Sequence, residues 1–149
     1  MSEIYDPNQE VTPATPENKE GIIKKILVVD DDDLVLAGVI VTLEMEGYET
    51  VSATSAEEAL NKLSEVGDID AVLTDNDMSV EMSGIELLQR IRTNSDPRFK
   101  KMPIILHTGR HSEETEQTVK NLQGAYLEKP YGTEDLKKAL ETAKERAAQ

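Results

Sequence analysis

The chain has 149 residues and a net charge of −14, from 30 acidic and 16 basic residues, and it has no cysteine. That length suits one domain with a real core, and the charge argues against nucleic acid, whose binding rests on neutralising phosphates. The missing cysteines remove disulfides, thiol chemistry and Cys-held metals, and no apolar stretch reaches the ~20 residues of a membrane span or forms a signal-peptide core. A cytoplasmic protein with neither nucleic-acid nor membrane partners is the expectation.

Residues 1–21 differ from the rest. They hold Pro7, Pro13 and Pro16 among Glu, Asn, Thr and Ser, with five acids against Lys19. Too little apolar surface is present to offset ordering entropy, so a disordered tail is expected there. From residue 22 to 149, strand and helix patterns alternate. A strand over 23–29 precedes a helix over 33–46, capped by Asp32 or Asp33 and ended by Gly47. Its apolar stripe is read as Leu34, Val35, Ala37, Gly38, Ile40, Val41 and Leu43, with Glu44 beside them. A strand over 49–53 follows, then a helix over 56–65, for which Ser55 and Glu58 form a capping box. Next come a strand over 70–74 and a helix over 84–94 that buries Ile85, Leu87, Leu88 and Ile91. Pro97 and Pro103 bracket the approach to a strand over 103–107. Ser112 starts a helix over 113–122, a strand covers 125–128, and Thr133 caps a last helix over 134–147. Five βα units with right-handed crossovers make a parallel sheet with helices on both faces.

Four of these strands end on polar groups of a particular kind. Ile26-Leu27-Val28-Val29 runs into Asp30 and Asp31, and Ala71-Val72-Leu73-Thr74 into Asp75. Ile104-Ile105-Leu106-His107 leads to Thr108, and Ala125-Tyr126-Leu127-Glu128 to Lys129. Open parallel sheets bind ligands outside the carboxyl ends of their strands. Neighbouring carboxylates repel unless a cation joins them, and Mg2+ takes oxygen ligands of this type. A carboxylate such as Asp75 is also a nucleophile towards phosphorus, while a hydroxyl and an ammonium group suit a phosphoryl group.

In order, "ILVVDDD", "DAVLTDNDM", "PIILHTG" and "YLEKP" resemble the receiver domain of bacterial two-component response regulators over residues 22–149. The resemblance implies a doubly wound (βα)5 flavodoxin-like fold, an α/β architecture with a five-stranded sheet in the order 2-1-3-4-5. It implies Asp75 as the phosphoacceptor, and Mg2+ bound by Asp31, Asp75 and the Asp77 backbone carbonyl, with Asp30 acting mainly through water. Thr108 and the Gly109 amide would contact the phosphoryl group, and Lys129 would pair with it. Thr108 and Tyr126 would form the switch. The phosphoryl donor would be a histidine kinase or histidine phosphotransfer protein. Such a domain is no enzyme beyond assisting its own phosphorylation and dephosphorylation. The sequence shows no output domain after the last helix. The signal is therefore expected to leave through the face of helix four, strand five and helix five, towards an output protein whose identity is unknown, from a monomer or a phosphorylation-dependent dimer.

Several positions depart from the family pattern. The stretch Asn76 to Gly84 is one residue longer than usual, with Ser79 where Pro is common, which implies a more mobile loop. "QGAYLEKP" is shorter than the common form before strand five. His107 stands where an apolar residue is usual and is expected in the core, facing away from Thr108. His111 is expected at the surface. Arg110 is a candidate to hold phosphoryl oxygens or to pair with Asp77. Two other functions compete. In a phosphatase of the haloacid dehalogenase class, Asp30 would be the nucleophile and Asp32 the acid/base, with Thr108 and Lys129 in the later motifs. Against this, Leu34 replaces the expected Thr or Val, no acidic pair follows Lys129, there is little room for a cap domain, and Asp75 goes unused. A binding-only receiver would be favoured had a site residue been lost, and none has.

Overall fold

Short runs rich in apolar residues form the central strands of the computed structural model, which describes residues 22–78 and 82–149. The strands are β1 (Lys25–Val29), β2 (Glu49–Ala53), β3 (Ala71–Asp75), β4 (Ile104–Thr108) and β5 (Ala125–Glu128). All neighbours pair in parallel, in the order β2-β1-β3-β4-β5. Parallel pairing requires crossovers, and these are α1 (Asp33–Met45), α2 (Ala56–Glu65), α3 (Gly84–Thr93) and α4 (Glu113–Asn121), with α5 (Thr133–Ala147) closing the chain. The doubly wound architecture and strand order implied by the sequence are those observed. The expectations for the tail 1–21 and for Ser79 lie outside the described residues.

Side chains alternate across each strand, and this divides the core in two. Leu27, Val29, Val72, Ile104 and Leu106 meet α2, α3 and α4 through Ala59, Leu63, Leu87, Leu88, Ile91 and Val119. Ile26, Val28, Leu73 and Ile105 meet α1 and α5 through Leu36, Val39, Leu43, Leu136 and Leu140. Both faces of the central strands are covered, which explains their unbroken apolar character.

Local details correct four expectations. The buried stripe of α1 is Leu36, Val39 and Leu43, while Leu34 and Val41 are exposed. Apolar residues occur on every side of that helix, so a 3.6-residue period does not fix which side turns inward. Ser55 does accept from the Glu58 amide at 3.1 Å, but the Glu58 carboxylate reaches back to the Thr54 amide and hydroxyl, not to Ser55. The cap of α5 is Gly132 rather than Thr133, with the Asp135 carboxylate accepting from the Gly132 amide at 3.3 Å. A single helical turn, Pro97–Lys100, fills the approach to β4 where a plain connection was expected, and Asp96 caps it. Elsewhere the caps are as read: Asp32 accepts from the Leu34 and Val35 amides, and Gly47 takes φ +96° beyond α1.

The short connection before β5 is held by a half-buried cation. Arg92, from α3, donates to the carbonyls of Leu122 at 2.8 Å, Phe99 at 3.0 Å and Met102 at 2.8 Å, and more weakly to Gln123 at 3.4 Å. Burial pulls its guanidinium down to about 10, still charged at neutral pH. Gln123 sits at φ +63°, and Gly124 follows it where a Cβ would press on Ile104. One planar fork thus joins α3, the approach to β4 and the α4–β5 turn. Arg92→Leu strands these acceptors and is expected to lower the stability measured by urea unfolding by about 2–3 kcal/mol, with Arg92→Lys recovering only part of the loss.

Candidate functional site

Strand alternation and register bring three polar side chains together. Asp30 continues the face of Ile26 and Val28, Asp75 that of Ala71 and Leu73, and His107 that of Ile105. Asp75 pairs directly with His107 in the β3–β4 register. Asp30, Asp75 and His107 are all buried and offer ligand atoms within 4.8 Å of one another. Asp75 and Thr108 are the last residues of their strands, one position deeper than the sequence suggested, so their side chains are covered rather than left in loops.

Lys129 completes the cluster. Its ammonium lies 3.1 Å from Asp75 Oδ1 and 3.3 Å from Asp30 Oδ2. The other Asp30 oxygen accepts from the Asp32 amide at 2.9 Å. Burial, above all, raises the Asp75 carboxyl above its ordinary value, and the charge of Asp30 adds to this against the opposing hydrogen bond from Lys129. For Lys129, burial pulls downward, but the hydrogen bond to Asp75 and the charges of Asp75 and Asp30 together outweigh it and leave the ammonium above its usual range. The following Lys129–Pro130 peptide bond is cis.

The remaining expected residues surround this core. Asp31 is half-buried in the turn between β1 and α1. Asp77 and Gly109 are exposed at the rim, after β3 and β4. The Thr108 hydroxyl is buried and turned to its own loop, accepting from the Arg110 amide at 3.1 Å. The Tyr126 hydroxyl accepts from the Ser112 amide at 3.1 Å and lies 3.2 Å from His111 Nδ1. His111 in turn lies 2.6 Å from Glu128 Oε2 and is exposed, as expected. Arg110 and Asp77 approach to 4.0 Å with both side chains largely exposed, which makes a screened pair of little energetic value.

Sequence reasoning put His107 in the core but missed its partners. Its Nδ1 is 2.7 Å from the Tyr131 hydroxyl, and its Nε2, 3.6 Å from Asp30 Oδ2, has no hydrogen-bond partner among the described residues. Burial, with the Lys129 charge adding, pushes this imidazole from 6.5 to about 3, so it is neutral at physiological pH. Tyr131, in the β5–α5 turn, was not singled out at all. Alternation along β1 and β4 was the available signal for the His107–Asp30 contact, since both lie two residues past a core residue of the same face. Asp32, the proposed acid/base of a phosphatase, is occupied as the α1 cap.

The donor set of buried carboxylates suits a hard divalent cation more than a soft one. The comparisons agree with this picture. The profile of the response regulator receiver domain matches residues 26–141. The CAI-1 autoinducer sensor kinase/phosphatase CqsS of Vibrio cholerae is 37% identical over 108 residues, covering 72% of this chain and 15% of that protein. A chemotaxis protein CheY homolog of Campylobacter jejuni is 32% identical over 119 residues, covering 78% of this chain and 89% of its own length. The chain spans less than half the length of other curated regulators it matches. The crystal structure of response regulator protein TrrA from Thermotoga maritima, in complex with Mg2+-BeF, superposes with a TM-score of 0.69 at 30% identity, covering 81% of this chain and 99% of that one. Among the described residues no helix is long and apolar enough to cross a membrane.

The buried imidazole makes stability depend on pH. Its folded value, about 3, lies below the ordinary 6.5. Between those values the unfolded chain binds a proton that the folded one does not, so stability falls as pH falls, by about 1.4 kcal/mol per pH unit for this one group. Urea unfolding between about pH 4 and 6 is expected to show a shallower slope for His107→Leu than for the parent, by roughly one proton's worth.

Proposed function

This chain belongs to the response regulator receiver family, and we propose that it is a phosphorylation-driven switch with Asp75 as its phosphoacceptor. The observation that carries this reading is the Lys129 ammonium shared between Asp75 and Asp30, 3.1 and 3.3 Å away. It sets a cation against a nucleophilic carboxylate at the carboxyl edge of the sheet. In the transfer, a carboxylate oxygen of Asp75 attacks phosphorus, the phosphorus–nitrogen bond of a phosphohistidine breaks, and the departing imidazole nitrogen takes a proton. Lys129 then shifts towards the phosphoryl oxygens. Hydrolysis returns Asp75 and inorganic phosphate.

Asp31, Asp75 and the Asp77 carbonyl would hold Mg2+, with Asp30 behind them. That ion would supply charge neutralisation at the transferring group, where positioning and electrostatics dominate. The Gly109 amide and the Thr108 hydroxyl complete the phosphoryl cradle. Thr108 must give up its contact with the Arg110 amide to do so, and Tyr126, tied to the same loop through Ser112, is then free to change position. The face of α4, β5 and α5 therefore carries the output to a partner protein. The donor, a histidine kinase or histidine phosphotransfer protein, must approach beside Lys129. There an apolar groove lined by Leu34, Val35, Gly38, Pro130 and Tyr131 runs along α1, with Leu34 84% exposed. A net charge of −14 favours such protein contacts over nucleic acid. The setting of a cytoplasmic two-component pathway fits this reading.

Incubation with acetyl phosphate and Mg2+, followed by intact-mass measurement, tests the assignment. One added phosphoryl group is expected on the parent, and none on Asp75→Asn or in EDTA. Lys129→Ala is expected to keep the acceptor but to lose most of the modification rate. An adduct mapped to Asp30 would overturn the assignment.

A further inference from the structure

Beneath Asp30 lies a contact between buried His107 and half-buried Tyr131 that the phosphoryl-transfer steps do not use. His107 is fully buried, and its Nε2 points at Asp30 Oδ2 from 3.6 Å without a hydrogen-bond partner. Its Nδ1 is 2.7 Å from the hydroxyl of Tyr131. The tautomer follows from these neighbours. The Tyr131 hydroxyl keeps its proton, since burial, with the charges of Asp30 and Asp75, raises its pKa. It can donate to Nδ1, which leaves the imidazole proton on Nε2, facing Asp30. The opposite tautomer would turn a lone pair towards the Asp30 carboxylate and leave it facing a like charge.

We infer that His107, with its tautomer set by Tyr131, is a positioning residue for Asp30. The Nε2–H is a donor aimed at this carboxylate from the core side. At 3.6 Å it is too long for a hydrogen bond, and a shift of about half an ångström brings it into range. Asp30 is only 1% exposed, so water does not readily replace a partner it loses. Its present cation, Lys129, is shared with Asp75. When Lys129 turns to a phosphoryl group on Asp75, or when a divalent ion occupies the site, the Nε2–H becomes the fixed partner that holds Asp30 oriented. Groups one step behind metal ligands typically act in this way, through the ligand's orientation. An aliphatic side chain at 107 would fill the space without supplying the donor.

The inference rests on the metal reading above and deepens it. Mg2+ titration of the full chain by calorimetry, with thermal melts to check folding, separates the two. His107→Leu and Tyr131→Phe are each expected to weaken Mg2+ binding by roughly tenfold or somewhat less, and His107→Gln, which keeps an N–H at similar reach, to restore much of it. Nitrogen NMR of the parent, with its two histidines told apart by His111→Ala, is expected to show His107 protonated at Nε2 and not at Nδ1. Affinities of His107→Leu and Tyr131→Phe equal to the parent's would overturn the inference, as would an Nδ1–H tautomer. Weakening in His107→Leu that His107→Gln does not relieve, with Tyr131→Phe unchanged, would reduce His107 to packing. A parent that binds no Mg2+ would overturn the metal reading itself and this inference with it.

Discussion

The site depends on one ammonium group shared by two buried carboxylates. Asp30 follows the last residue of β1 and Asp75 ends the neighbouring β3, so parallel pairing brings them together. A buried charge without a partner costs several kcal/mol, so Lys129 is a condition of the fold as well as of the chemistry. One cation against two anions leaves the pair net negative. That residual charge favours a further cation, and it makes any new anion on Asp75 compete with Asp30 for Lys129. Burial pushes Asp75 upward while Lys129 opposes it. The carboxylate is thus poorly solvated but faces a cation, a condition that suits a nucleophile.

The two faces of the sheet divide the remaining tasks. On the α1 and α5 side stand Asp30, Asp75, His107 and Tyr131, which concern charge at the reacting end. On the other side Thr108 and the loop after it lead through Ser112 to Tyr126, and through His111 to Glu128 on β5. Thr108 is turned to its own loop, and the Tyr126 hydroxyl is held by the same loop. The hydroxyl and the aromatic ring are thus tied to one segment. A pull on Thr108 therefore disturbs the support of Tyr126 without any longer path.

Much of this was legible in the sequence, for a physical reason. Buried parallel strands are nearly pure runs of Val, Ile and Leu, so their polar ends stand out, and Asp30, Asp75, Thr108 and Lys129 were all found at those ends. Helix starts were readable where a side chain does the capping, as at Asp32, Ser55 and Ser112. They were misread at α5, where Gly132 has no side chain to cap with. The inward side of α1 was not readable because the helix is apolar all round. Arg92 was invisible as a structural bolt, since its partners are backbone carbonyls that no sequence pattern marks. Tyr131 was missed for a related reason: its value lies in a contact with His107, 24 residues away.

Strand β4 ties the two faces together. His107 and Thr108 are consecutive, so the pleat sends one to the side of Asp30 and the other to the side of Tyr126. Any movement of the strand end that brings Thr108 towards Asp75 also moves the residue beneath Asp30. With an aliphatic side chain at 107 that motion would only repack the core. With a histidine whose Nδ1 is held by Tyr131 and whose Nε2 faces Asp30, the same motion changes the distance between a donor and a buried carboxylate. The departure from the family pattern at 107 thus falls where the proposed metal side and the proposed output side meet, and Tyr131, which also lines the groove beside Lys129, extends that connection to the surface.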